Sequence, residues 1–285
     1  MKSIKICVAA ITAGVVCIAV MLGILSAAIY AENESGNSFI GLMYHQVLKD
    51  ESRAGKYIIT PNELESDLAY LSENGYVSVL PSQLVKIREQ GGRLPEKTVV
   101  ITFDDGYETG LYYVLPLLKK YGMKAVINVV GSYTDEYSRI NEEGKHLSYA
   151  YLTWNEIKTL SDSGYVEIGN HTYDMHSNNG DRNGCARKEN ESDEQYRTVL
   201  YEDVDRLSDK LQQVTGKRPV AFTYPFGSLS EGSAEIIGSA GISVFMTCCE
   251  QPCSMNRNGR IVINRYNRES GRTAQQICEE FNNAF

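Results

Sequence analysis

Short apolar runs alternate with longer amphipathic segments along most of the chain. The apolar runs are typical of buried β-strands and cover residues 39–44, 77–79, 98–103, 125–130, 166–169, 219–224, 242–246 and 260–264. The amphipathic segments predict helices over residues 60–74, 81–90, 108–121, 194–213 and 234–240, with two more beginning near residues 153 and 273. This alternation predicts a parallel sheet. Because polar side chains collect where the strands end, we expect a barrel with its site at that edge.

The first part of the chain follows a different pattern. Residues 6–30 are apolar and almost uncharged, and they follow Lys2 and Lys5. About 20 such residues span a bilayer, whereas the apolar core of a cleaved signal peptide has about 7–15. We therefore predict a cytoplasmic N-terminus (1–5), a transmembrane signal-anchor (6–30), a polar linker (31–38) and an extracellular domain (39–285). Cleavage after Ala28 or Ala31 would instead give a secreted protein.

Composition narrows the possible functions. The net charge of −8 on 285 residues argues against a nucleic-acid partner, since such proteins need a basic surface. A domain of about 250 residues is typical of one α/β barrel. Its odd number of cysteines leaves any disulfide pairing undetermined; they are Cys185, Cys248, Cys249, Cys253 and Cys278.

The strongest chemical signal follows the strand over residues 98–103, which ends in Asp104, Asp105 and Gly106. Adjacent carboxylates resist burial unless a cation or hydrogen-bond donors compensate their charge. Asp-Gly is also common in turns and hairpins. His171 and His176, two of the four histidines, follow a second strand. Five residues apart, they would lie about 140° apart on a helix, so we place one at the strand end and the other in the loop beyond.

Two imidazoles and one carboxylate form a three-residue ligand set that leaves a coordination position open for water, as in catalytic zinc sites. In this interpretation Asp105 is a ligand and Asp104 is the base. The alternative for His171 and His176 is a solvated loop.

The stretches 102–106 (TFDDG) and 171–176 (HTYDMH) together resemble the NodB-type polysaccharide deacetylases, carbohydrate esterase family 4. The resemblance runs from about residue 39 to the C-terminus. It implies a distorted (β/α)7 barrel, here preceded by the transmembrane helix, and a metal held by Asp105, His171 and His176. Zn²⁺ suits this ligand set, and Ni²⁺, Co²⁺ or Fe²⁺ would also fit.

The resemblance also implies a general acid, an oxyanion hole and an arginine that orients the base. Most members carry the acid histidine near the end of the domain, but the last third of this chain has none. His45 remains, as in the branch with the acid at the first strand, seen in poly-N-acetylglucosamine deacetylases. In the family a backbone N–H in the turn after a strand donates to the oxyanion, and the resemblance assigns this role to the N–H of Phe226. The usual arginine is missing, and Arg265 or Arg268 is expected to replace it. The alternative for His45 is an ordinary strand-end histidine. For Phe226 it is an ordinary proline-glycine turn, and for the two arginines it is a surface salt bridge.

These observations predict a membrane-anchored, metal-dependent N-deacetylase of N-acetylglucosamine-containing polysaccharide, acting at the cell surface on exopolysaccharide or peptidoglycan. Chitin-type oligomers are a weaker option for the substrate. The alternatives are a catalytically inactive carbohydrate-binding relative and an O-deacetylase acting on another polysaccharide such as xylan. The sequence does not determine the oligomeric state.

Overall fold

The computed structural model describes residues 37–140, 146–178, 180, 182–255 and 259–283. The predicted cytoplasmic N-terminus, the transmembrane segment and nearly all of the linker lie outside these residues. Among the described residues, no helix is both long enough and apolar enough to cross a bilayer.

The described residues alternate between strands and helices, as the hydrophobic pattern predicts. The strands are β1 (Ser38–Tyr44), β2 (Gln46–Val47), β3 (Ile58–Ile59), β4 (Val77–Ser78), β5 (Thr98–Phe103), β6 (Ala125–Val129), β7 (Val166–Asn170), β8 (Ala221–Thr223), β9 (Val244–Met246), β10 (Cys253–Ser254), β11 (Ile261–Ile263) and β12 (Tyr266–Asn267). The helices are α1 (Pro61–Glu73), α2 (Pro81–Glu89), α3 (Leu115–Tyr121), α4 (Gly131–Tyr137), α5 (Trp154–Asp162), α6 (Asp193–Thr215), α7 (Ser233–Ser239) and α8 (Ala274–Asn283). A π-helical turn, Gly110–Val114, leads into α3.

The central sheet is parallel and nearly closed. Its strands follow the order β1-β5-β6-β7-β8-β9-β11, and β12 pairs in parallel with β1. Because only two residues separate β11 from β12, the last strands return to the first. Gly41 lies where they cross, and a Cβ at that position would lie 2.3 Å from the carbonyl oxygen of Asn264. The barrel-like sheet is thus confirmed, and a hairpin at the Asp-Gly pair is wrong because β5 pairs in parallel with β1 and β6.

Side chains along β5 and β6 alternate between two buried clusters. Val100 and Val126 pack inside the barrel with residues of β8, β9 and β11, while their neighbours pack against the helices. Alternation of faces along a strand therefore directs Thr102 and Asn128 inward too, nearer the carboxyl ends of the strands. Both are fully buried. The inward-facing series thus changes from apolar to polar where the site begins.

Two local predictions have different outcomes. The helix predicted over residues 60–74 is present and begins with a capping box: the Thr60 hydroxyl accepts from the N–H of Glu63, and the Glu63 carboxylate accepts from the N–H of Thr60. Helix α4, by contrast, lies outside the segments for which a helix was predicted. Tyr133 and Tyr137 of this helix pack against Tyr151, and this contact was not visible in the pattern. The five cysteines from Cys185 onwards are free.

Candidate metal centre and catalytic site

Backbone strain in the described residues is concentrated at the carboxyl ends of the strands. The non-glycine residues with positive φ are Asp105 (71°), Thr172 (74°) and Phe226 (58°), and they follow β5, β7 and β8. A side chain in this conformation costs about 1 kcal/mol or more, and such strain persists only where the surrounding structure enforces it. The three turns therefore mark the edge of the barrel where the predicted site residues meet.

Asp105, His171 and His176 form a compact cluster. Their ligand atoms all lie within 4.8 Å of one another. Nε2 of His176 lies 3.1 Å from Oδ1 of Asp105, and Nε2 of His171 lies 3.5 Å from the same oxygen. Burial alone would raise the pKa of Asp105, but hydrogen bonds from both histidines hold it well below its usual range. Two imidazole nitrogens and a carboxylate oxygen could hold a divalent metal such as zinc.

Groups outside this cluster orient both imidazoles. Nδ1–H of His171 donates to the carbonyl oxygen of Thr223 in β8 at 2.9 Å, which directs Nε2 towards Asp105. The hydroxyl of Tyr133 lies 3.4 Å from Nδ1 of His176 and donates to the carbonyl oxygen of the same residue at 3.0 Å, and its ring packs edge-on against that imidazole. Such partners are typical of metal-binding histidines because they select the tautomer and the ring orientation. The donor set therefore fits a metal.

Asp104 occupies a different environment from its neighbour. Its side chain is 4% exposed and its Oδ1 accepts from Nη1 of Arg265 and from Nδ2 of Asn128, each at 2.8 Å. Burial alone would raise the pKa of Asp104. The charges of Arg265, His171 and His45 and the hydrogen bond from Arg265 together outweigh burial and lower the pKa to about 2. Asp104 is therefore held as a carboxylate beside the three candidate metal ligands.

The two arginines considered as partners of the base lie in different places. Arg265 is fully buried and also donates to Thr102 and to the carbonyl oxygen of Thr247. Arg268 pairs instead with Asp67 of α1, with Nε 2.6 Å from Oδ2. The structure thus places Arg265, and not Arg268, against Asp104. Neither forms the surface salt bridge weighed as the alternative, because both side chains are buried.

His45 lies directly after β1. It lines a cavity of about 530 Å³ together with Asp104, Asp105, His171 and His176. Its ring packs on Tyr57 with centroids 4.7 Å apart. Nδ1 is buried and has no hydrogen-bond partner among the described residues. Burial lowers the pKa of His45, and the charges of Asp105 and Asp104 partly offset this effect. The histidine that follows the first strand therefore faces the three candidate metal ligands.

Phe226 lies in the turn Pro225–Gly227, directly beyond β8. Its half-exposed ring packs on His176 with centroids 4.7 Å apart, and it lines the cavity. The strained turn thus places Phe226 beside His176, one of the three candidate metal ligands.

With this geometry established, comparison with known proteins identifies the family. Residues 91–245, just over half of the chain, match the family model described as polysaccharide deacetylase. The chain belongs to this family. The poly-beta-1,6-N-acetyl-D-glucosamine N-deacetylase of Escherichia coli strain K12 is 27% identical over 231 residues, covering 74% of this chain and 34% of that protein. The chain therefore spans about a third of the length of this curated relative.

Two solved structures share the fold of this polysaccharide deacetylase chain. A de-N-acetylase from Aggregatibacter actinomycetemcomitans is 26% identical with a TM-score of 0.73, covering 85% of this chain and 99% of the other. IcaB from Ammonifex degensii is also 26% identical, with a TM-score of 0.68 and coverage of 86% and 97%.

Sequence reasoning missed several residues around this deacetylase site. Asn128 binds the carboxylate of Asp104, and its only signal was a polar residue within the apolar run of β6. Gly169 makes room for it, because a Cβ there would lie 2.0 Å from Oδ1 of Asn128. Tyr133 gave no signal, since α4 itself was not predicted.

Proposed function

We propose that this chain is a metal-dependent N-deacetylase that removes acetyl groups from N-acetylglucosamine-containing polysaccharide. The observation that carries the proposal is the convergence of three kinds of group on one cavity. A cluster of metal-ligand type, Asp105, His171 and His176, lies beside the ionised Asp104, and His45 faces them.

Each group has a role in amide hydrolysis. Asp104 accepts a proton from the attacking water and stays ionised beforehand because Arg265 neutralises its charge. His45 donates a proton to the amine nitrogen as it leaves, because an unprotonated amine is a very poor leaving group. The backbone N–H of Phe226 donates to the oxyanion of the tetrahedral intermediate. Arg265 is the positioning residue for Asp104.

Asp105, His171 and His176 would hold the metal, with zinc the first choice and nickel, cobalt or iron(II) as alternatives. A bound cation would polarise the acetamide carbonyl and lower the pKa of water in the site to about 7.

The choice of substrate is supported by the relatives. The Escherichia coli protein is named for poly-beta-1,6-N-acetyl-D-glucosamine, and the similar Aggregatibacter structure is that of a de-N-acetylase. We therefore place a poly-N-acetylglucosamine exopolysaccharide first and peptidoglycan second. The apolar segment 6–30 behind two lysines supports a location at the outer face of the cell membrane, or secretion if the segment is cleaved.

The proposal is tested by measuring acetate release from β-1,6-linked N-acetylglucosamine oligomers. We expect turnover that a chelator abolishes and added Zn²⁺ restores. Peptidoglycan fragments and acetylated xylan, assayed in parallel, separate the competing polymers and an O-deacetylase. A folded, zinc-loaded protein that binds these oligomers but releases no acetate from any of them would instead be a carbohydrate-binding relative.

The acid is tested by His45→Ala. We expect kcat to fall by roughly 10²–10⁴-fold, the usual contribution of a general acid, with metal content unchanged. His171→Ala and His176→Ala should lose metal. His146→Ala, which replaces an exposed histidine absent from the cavity lining, is the control. Turnover of His45→Ala within a few-fold of the wild type would refute the assignment.

A further inference from the structure

The loop that joins the two histidine ligands is held by three consecutive backbone N–H groups. The N–H of Thr172 donates to Oδ1 of Asn170 at 2.9 Å. The N–H of Tyr173 donates to Oδ1 of Asp203 at 2.7 Å, and that of Asp174 donates to Oδ2 of Asp203 at 2.8 Å. Two side chains therefore bind every amide between His171 and Met175.

Both acceptors are tied to α6. Asp203 belongs to this helix. Asn170 is fully buried and donates from Nδ2 to the carbonyl oxygen of Val204 at 2.8 Å and to Oγ of Ser208 at 3.0 Å. One face of α6 therefore determines where the loop backbone lies.

The opposite side of the loop contacts α4 through backbone and side-chain groups. The N–H groups of Gly131 and Ser132, at the start of α4, donate to the carbonyl oxygens of Thr172 and Tyr173 at 3.1 and 2.7 Å. The hydroxyl of Tyr173 also donates to Asp135 of α4, and the hydroxyl of Tyr133 donates to the carbonyl oxygen of His176. On the α6 side, by contrast, one carboxylate binds two consecutive loop amides.

We propose that Asp203 is a positioning residue for the metal centre, an inference that rests on the metal site of the proposed function. Its two carboxylate oxygens accept from adjacent amides and hold the left-handed turn at Thr172, from which the chain returns to bring His176 beside His171 and Asp105. Asp203 does not belong to the ligand cluster. It acts through the two amides.

The carboxylate is needed for a chemical reason. A carboxylate offers two acceptor oxygens, whereas an asparagine amide offers one oxygen and an NH₂ group that donates. Asp203→Asn keeps the size of the side chain but sets a donor against one of the two backbone N–H groups. At least one hydrogen bond is lost, and the loop can move relative to α6. Substitutions that disturb the orientation of metal ligands typically weaken metal binding by about 10–100-fold.

Helix α6 offers a matched control. Asp205 lies two residues further along α6 and forms an ion pair with Arg218, away from the histidine loop. Asp205→Asn makes the same chemical change on the same helix without touching the loop amides.

The test measures Zn²⁺ affinity by competition with a chelator, together with the melting temperature of each protein with and without Zn²⁺. We expect Asp203→Asn to bind Zn²⁺ about 10–100-fold more weakly and to gain less thermal stability from it. Asp205→Asn should match the wild type in Zn²⁺ affinity and in the thermal stability gained from Zn²⁺. A merely structural role would lower the melting temperature of the metal-free protein and leave the Zn²⁺ affinity unchanged. Unchanged affinity in folded Asp203→Asn therefore overturns the proposal.

Two further measurements keep the result decisive. If Asp203→Asn fails to fold, Asp203→Glu, which retains both oxygens but shifts them by one methylene, takes its place: weaker Zn²⁺ binding supports the proposal and wild-type binding overturns it. If the wild type binds no Zn²⁺, the proposed function fails instead. Hydrogen exchange at the amides of Tyr173 and Asp174 in metal-free protein then tests the anchoring role of Asp203. Faster exchange at these two amides in Asp203→Asn than in Asp205→Asn supports this role, and equal exchange overturns it.

Discussion

The buried pair of Asp104 and Arg265 should make the unfolding free energy depend on pH in a defined range. The side chains are 4% and 0% exposed, and Nη1 of Arg265 lies 2.8 Å from Oδ1 of Asp104. Replacing Asp104 with Asn removes the negative charge and leaves the buried guanidinium without its partner. Breaking one side of a buried ion pair typically costs about 3–5 kcal/mol, so we expect Asp104→Asn to be destabilised by this amount at pH 7.

Part of this cost should disappear in acid. The pKa of Asp104 is about 2 in the folded protein, below its usual value of 3.8. The folded state therefore binds fewer protons than the unfolded chain between these values, and the stabilisation is complete above about pH 5 and lost as pH falls through 2. The difference between the two pKa values corresponds to about 2 kcal/mol.

The measurement is denaturant unfolding of the wild type and Asp104→Asn from pH 7 to pH 2, followed by circular dichroism in the presence of a chelator. The gap between the two unfolding free energies should be constant above pH 5 and narrow by about 2 kcal/mol on approaching pH 2. Taking the difference between the two unfolding free energies removes the contribution of the other carboxylates, because they titrate in both proteins. Asp162→Asn, which removes an exposed carboxylate paired with Lys158, should show only a small gap. A gap for Asp104→Asn that stays constant down to pH 2 would refute the reasoning.

Two further substitutions test the surroundings of this pair. Gly169→Ala places a Cβ 2.0 Å from Oδ1 of Asn128 and should pull that side chain away from Asp104, so we expect a loss of about 1–3 kcal/mol in unfolding free energy, as for a hydrogen bond to a charged group, and lower deacetylation. Arg268→Met leaves Asp67 buried without its cation, so we expect a loss of about 3–5 kcal/mol with Zn²⁺ affinity unchanged in the folded protein. Chemical denaturation and chelator competition measure these effects.

Controls for both are available on the same chain. Gly55→Ala adds a Cβ that meets no atom within 4 Å and should be tolerated. Arg187→Met breaks a surface pair with Asp193, which typically contributes less than about 1 kcal/mol. Wild-type stability in Gly169→Ala, or loss of Zn²⁺ binding in folded Arg268→Met, would contradict the roles given to these residues.

The sequence by itself determined the alternating elements and the residues that meet at the strand ends. The pattern of residues was sufficient to predict the elements, because apolar runs and caps specify strands and helices. Parallel strands also end at one edge of the sheet, so Asp105 and His171 had to lie near each other. His45 needed one step more, since its place depends on which strand lies beside β5. In the structure β1 pairs with β5, with Tyr44 opposite Phe103.

Only the tertiary structure decided which arginine meets Asp104. Arg265 and Arg268 are three residues apart on either side of β12, and side chains separated by an odd number along an extended chain point to opposite faces. One therefore enters the barrel, and the other faces α1. The pattern of residues cannot say which, because both are cations with buried partners and the direction depends on where the closing strand crosses β1. Asp203 is the same kind of case, since nothing in α6 distinguishes it from Asp205 until the helix packs against the histidine loop.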